Sequence, residues 1–154
     1  MYDEGHKHFS PLLRVHGANG WSRDTALRVE CFSHAACCER VALTGGAVLD
    51  RHQPGLAGTY TAVATANARL VYRQTDGRHF IHYYDWGPNS GCNWMVSDNP
   101  LDSGRSVESG NVEYSDPAAN CASEVRAHVG PFRVQDPETG SWVEDPDLSI
   151  ECVS

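Results

Sequence analysis

The chain has 154 residues and carries 12 Lys+Arg against 20 Asp+Glu, a formal charge of −8 at pH 7. That length suits one domain with a proper core, and a 40% hydrophobic, 21% charged composition belongs to a folded chain rather than a disordered one. The acidity excludes a nucleic-acid or anionic-membrane surface, which needs clustered Lys and Arg, and no apolar run approaches the roughly 20 residues of a bilayer span.

Met1-Tyr-Asp-Glu-Gly-His6 has neither a basic start nor an apolar stretch, so it is not a signal peptide. Either a leader has been removed or the protein is cytosolic, and the first is the expectation. Residues 1–40 hold five basic and five acidic groups, so the entire −8 falls after Arg40, where seven basic groups face fifteen acidic ones.

The N-terminal stretch from Gly20 to Ser33 returns at the C-terminus as Ser141 to Ser154. Trp21/Trp142, Asp24/Asp145, Leu27/Leu148, Val29/Ile150, Glu30/Glu151, Cys31/Cys152 and Ser33/Ser154 match at one offset of 121. Upstream, with a slip of one or two residues, Glu4, His8, Pro11, Arg14 and Val15 align with Glu124, His128, Pro131, Arg133 and Val134. The pattern predicts that residues 1–33 are the closing segment of a preceding repeat and that 34–154 form a complete β module. A period this long describes individually folding beads, because solenoid repeats run only about 20–50 residues.

Within the second region the patterns are β throughout. Strands are expected at Arg40–Thr44, Gly58–Ala64, Arg69–Thr75, Arg78–Asp85, Asn93–Ser97, Asn111–Ser115, Pro131–Gln135 and Asp147–Cys152. Asp76-Gly77 is the turn signal of a hairpin between Arg69 and Asp85. One or two helical turns are expected near Pro117–Val125. Short strands spaced by Gly, Pro, Asn and Asp predict an all-β fold, a compact disulfide-stapled antiparallel sandwich or barrel.

Six cysteines stand at 31, 37, 38, 92, 121 and 152. An even count in a Gly/Pro-rich chain suggests disulfides and an oxidising compartment. Six cysteines allow fifteen pairings, which spacing does not resolve. The expected set is Cys92–Cys121, Cys38–Cys152 and a local Cys31–Cys37 clamp, with the vicinal Cys37 and Cys38 bonded to different partners. The rival reading is zinc on Cys31, His34, Cys37 and Cys38, although one short turn rarely wraps a tetrahedral ion. A weak calcium site among Asp136, Glu138, Asp145 and Asp147 is set against a simple solvated acidic surface.

Gly58-Thr-Tyr60, Asn67-Ala-Arg-Leu-Val-Tyr72, Phe80-Ile-His-Tyr-Tyr84, Asn93-Trp-Met-Val-Ser97 and Trp142-x-x-Asp145 follow one another in an order that is more specific than any single motif. Together they resemble a tandem-repeat extracellular β module of large secreted proteins from algae, oomycetes and invertebrates. The resemblance covers about residues 41–152 and departs at Ala68 and Leu70, where the pattern prefers Gly and Pro. It implies an extracellular repeat module and brings no catalytic residues.

No Gly-x-Ser-x-Gly elbow, His-Glu-x-x-His pair or phosphate-binding Gly loop is present in the sequence. His79 and His82 differ by three, so strand alternation sends them to opposite faces and makes them a poor metal pair. The expected function is therefore a non-catalytic structural or adhesive module without a cofactor, assembling with neighbouring copies or repeats outside the cell or at its surface. The alternative is a carbohydrate-binding module in which Tyr83, Asp85, Trp86 and Asn89 present a flat ring beside polar groups. Trp94 is expected in the core and Trp86 at the surface.

Overall fold

A computed structural model describes residues 14–17, 20–23, 37–87, 90–100, 104–110 and 120–154. The expected strand Asn111–Ser115 lies outside them, as do Cys31, His34 and Asn89. The chain divides into two units, Met1–Phe32 and Ser33–Ser154.

In the first unit, β1 (Arg14–Gly17) and β2 (Gly20–Arg23) pair antiparallel, with Val15 opposite Ser22 and His16 opposite Trp21. The second unit runs β3 (Arg40–Thr44), α1 (Ala47–His52), β4 (Gly58–Ala66), β5 (Arg69–Gln74), β6 (Phe80–Asp85), β7 (Cys92–Ser97), β8 (Val107–Glu108), α2 (Val125–Val129), β9 (Phe132–Gln135), β10 (Trp142–Asp145) and β11 (Ser149–Cys152). Its nine strands form one antiparallel sheet in the order β10-β9-β8-β7-β6-β5-β4-β3-β11.

The two edge strands of that sheet are consecutive in the chain. Laid flat, nine strands would hold their edges about 38 Å apart at the usual ~4.8 Å spacing. From Asp145 to Ser149 is four residues, which reach at most about 14 Å. The sheet must curl, and it forms a half-barrel stapled by disulfides.

Helix α1 docks on β9 and β10 at this closing edge. Asp145, buried on β10, accepts the backbone N–H of Gly46 at 3.2 Å and of Leu49 at 2.9 Å, and also that of Asp147 at 3.1 Å. It supplies from another strand the cap that Gly46, at the N-cap, has no side chain to give. A Cβ on Gly46 would stand 2.8 Å from that of Asp147, so glycine is required there by close approach. Sequence patterns missed α1, whose six residues bury only Leu49 and carry no local capping side chain. The helical turns expected near Pro117–Val125 are displaced: residues 120–124 are not helical, and α2 begins at Val125 and runs to Val129.

Alternation along the strands sends Val41, Leu43, Tyr60, Tyr72, Ile81, Tyr83, Trp94, Val96, Val107, Phe132, Val134 and Ile150 into a single core cluster. Trp94 is fully buried, as expected, with Tyr83 edge-on to it at 5.7 Å. The β5–β6 hairpin forms, but its strands stop at Gln74 and resume at Phe80, with the Gln74 N–H bonded to the His79 carbonyl at 2.8 Å. Asp76-Gly77 therefore sits inside a longer loop. The tight turn lies one hairpin earlier, at Asn67 (φ 50°) and Ala68 (φ 57°), between the paired Ala66 and Arg69. Two successive left-handed residues make the type I′ geometry that suits strand twist, and Ala68 occupies a position glycine fits without steric cost.

Cys38 is bonded to Cys152 (Cα–Cα 5.6 Å) and Cys37 to Cys121 (Cα–Cα 5.4 Å). The vicinal pair thus serves different partners, as expected, but two expected bonds are corrected. Cys121 is taken by Cys37, which removes both Cys92–Cys121 and Cys31–Cys37. Cys92 is a free, buried thiol in β7, on the same core-facing side as Trp94 and Val96. Strand alternation points it inward, where burial raises its pKa. With Cys37 and Cys38 consumed as disulfides, the zinc reading loses two of its four ligands.

Candidate functional site

The outer face of the half-barrel carries the chemistry. Residues one step off the core positions align across five strands: His82 opposite Met95, Met95 opposite Glu108, Glu108 opposite Arg133, and Arg133 opposite Glu144. Tyr84 and Asn93 form a neighbouring pair. An outer face usually meets water, yet His82, Asn93, Met95, Ser97 and Glu108 are all buried.

Glu108 is the electrostatic centre. Its side chain is 4% exposed, and its carboxylate oxygens accept from Arg105 Nε at 2.7 Å and from an Arg133 terminal nitrogen at 2.5 Å. The Arg105 guanidinium lies 4.5 Å from the ring centre of Trp86 and 5.1 Å from that of Trp142, held between two indoles. The Trp86 indole N–H donates to Asn93 Oδ1 at 2.6 Å, and Asn93 donates in turn to the Ser109 carbonyl at 2.9 Å. Tyr84 packs against Trp86 with ring centres 4.6 Å apart. A groove of about 300 Å³ opens here, lined among the described residues by Trp86, Ser90, Asn93, Arg105, Glu108 and Arg133.

Beside this groove, His82 is fully buried with Nε2 at 2.7 Å from Ser97 Oγ. The Ser97 hydroxyl donates to the Asn99 carbonyl at 2.8 Å, so it receives the hydrogen on His82 Nε2 and leaves Nδ1 as a bare lone pair. Burial lowers the His82 pKa to about 4, keeping the ring neutral. His79 instead meets Gln74 Oε1 at 2.9 Å, just ahead of β6.

The expected binding residues separate. Tyr83 is corrected to a core residue, because alternation turns it inward onto Trp94 and the guanidinium of Arg69 stands 5.1 Å from its ring centre. Asp85 is exposed and accepts the Gly87 N–H at 2.8 Å, a turn-forming role. Among the described members of the expected set, Trp86 alone lines the groove, and Asn89 lies outside the described residues. Arg105, Glu108, Arg133 and Asn93 were not anticipated as site residues, and Trp142 stood out only through the repeat and the resemblance. The available signal was a charge one step from an apolar residue in Val107-Glu108 and in Phe132-Arg133-Val134.

The acidic C-terminal stretch is engaged locally. Asp136 accepts the Glu138 N–H at 2.9 Å and the Thr139 hydroxyl at 2.8 Å, which hold its carboxyl below the usual range, and it stands 3.5 Å from His52. Asp145 is committed to α1. Among the described residues no group of three or more His, Cys, Asp or Glu is placed to share a metal ion, and no helix is long and apolar enough to cross a membrane.

Compared with known proteins, the chain matches no family model, and no curated protein or solved structure is significantly similar to it.

Proposed function

We propose that the chain is a non-catalytic, extracellular structural or adhesive module that assembles through neighbouring copies or repeats. The observation that carries this reading is the double closure of the second unit. Its first strand β3 pairs with its last strand β11, and Cys38–Cys152 bonds the same two ends across a sequence separation of 114. Tension entering before Cys38 and leaving after Cys152 passes through a covalent bond and bypasses the sheet. Two disulfides also suit an oxidising, secreted setting.

Hairpin register supports the repeat. Val15 faces Ser22 and His16 faces Trp21, just as Val134 faces Val143 and Gln135 faces Trp142. The first strands correspond at an offset of 119 (15 + 119 = 134) and the second at 121 (21 + 121 = 142), so the two-residue slip falls in the connecting turn. Segment 1–33 then supplies the joint between modules.

Stretching the full chain from its two ends tests the closure. Without reductant the 114-residue span should not extend, and with reductant it should release roughly 400 Å at ~3.5 Å per residue. Equal extension in both conditions refutes it. For the joint, concentration-dependent association should disappear on deleting residues 1–33, and a full chain that is monomeric at every concentration removes the assembly role.

The groove favours a second reading, a carbohydrate-binding module, because it combines the Trp86 indole with ordered polar groups in one concave site.

A further inference from the structure

We propose that the groove between Trp86 and Arg133 binds a sugar carboxylate, the uronate group of an acidic saccharide; this rests on the carbohydrate-binding reading. The lining is chemically one-sided. Its acceptors are already committed: both Glu108 oxygens to arginines, beneath a side chain only 4% exposed, and Asn93 Oδ1 to Trp86. Its donors are not. Arg133 is 42% exposed and gives one terminal nitrogen to Glu108, which leaves the rest of a five-donor fork facing the groove beside the exposed Ser90. Glu144 stands opposite Arg133 on β10, but among the described residues the ion pair of Arg133 is with Glu108. A ligand complementary to such a wall must be rich in acceptors, and a planar carboxylate matches a guanidinium fork two bonds at a time.

The remaining residues fix which carboxylate. Arg105 is immobilised between Trp86 and Trp142 and tied to Glu108, so it sets the floor and does not reach out. The Trp86 ring, the indole in the groove lining, gives an apolar edge beside the fork for the C–H groups of a sugar ring, which a free small acid would not use. The chain's −8 charge repels polyanions such as nucleic acid, while one fork holds one oxyanion at a time. About 300 Å³ is the lower end of ligand-site volumes, suited to a terminal or single acidic residue.

Glucuronate and glucose differ at one position, a carboxylate against a hydroxymethyl group, and titrating both into the full chain by calorimetry isolates the oxyanion. Glucuronate should bind at least tenfold more tightly than glucose. Arg133→Lys keeps a cation beside Glu108 but removes the fork. It should lower glucuronate affinity about tenfold and leave glucose unchanged, with the near-ultraviolet circular dichroism of the native chain. Equal binding of the two sugars overturns the carboxylate assignment while leaving a carbohydrate site standing. Binding of neither overturns both. Native glucuronate affinity in folded Arg133→Lys removes Arg133 from the site.

Discussion

The two faces of strand β7 are buried to the same degree by different means. All six of its residues are buried, yet Cys92, Trp94 and Val96 face an apolar core while Asn93, Met95 and Ser97 face outward beneath a layer of paired polar groups. The inner face gains by removing apolar area from water, at about 25 cal/mol per Å², and shape decides its quality. The outer face gains little per hydrogen bond, but losing one partner strands a desolvated group. The inner face should therefore answer to volume and the outer face to charge and pH.

Truncation at the centre of the core tests that contrast most severely. Trp94→Ala removes the largest fully buried side chain among the described residues and should cost about 3–5 kcal/mol, read as a lower denaturation midpoint with little pH dependence of the difference. On the outer face the sensitive variable is pH. His82 titrates near 6.5 when unfolded and about 4 when folded, so between those values the unfolded state holds the proton. Its contribution is present above pH 6.5 and is lost as pH falls towards 4, by about 2–3 kcal/mol. His82→Asn should flatten that part of the stability–pH curve; an unchanged slope would place the titration elsewhere.

Glu108→Gln probes the buried charge without changing its shape. It should cost about 1–3 kcal/mol, reduce the salt dependence of stability, and shift the fluorescence of Trp86 and Trp142 as Arg105 loosens. The smallest effect belongs to neither face. Ala68→Gly relieves a left-handed alanine at the β4–β5 turn and should stabilise by about 1 kcal/mol or less, measured by thermal melting.

Much of the sheet was legible because its signals are local. Arg40–Thr44 is read without error, and Arg69, Asp85, Ser97, Gln135 and Cys152 each mark a strand end that sequence patterns also mark. Strands β8 and β10 are two and four residues long and end in charged residues, so periodicity over so short a window does not separate them from loop. Among the described residues the groove was legible only at Trp86. Its other members come from β7, β8, β9 and two loops, and cross-strand register alone pairs Glu108 with Arg133 and with Met95, two positions along β7 from Asn93.

By itself the sequence determined an all-β module with strands near their observed places and a buried Trp94, because alternation and turn chemistry act over a few residues. Tertiary structure alone decided that Cys121 joins Cys37 and leaves Cys92 free, that Asp145 caps a helix a hundred residues earlier, and that Tyr83 turns inward while Trp86 meets Arg105. Each of these depends on which strand lies beside which, and curling a nine-stranded sheet brings together residues whose separation along the chain carries no trace of that proximity.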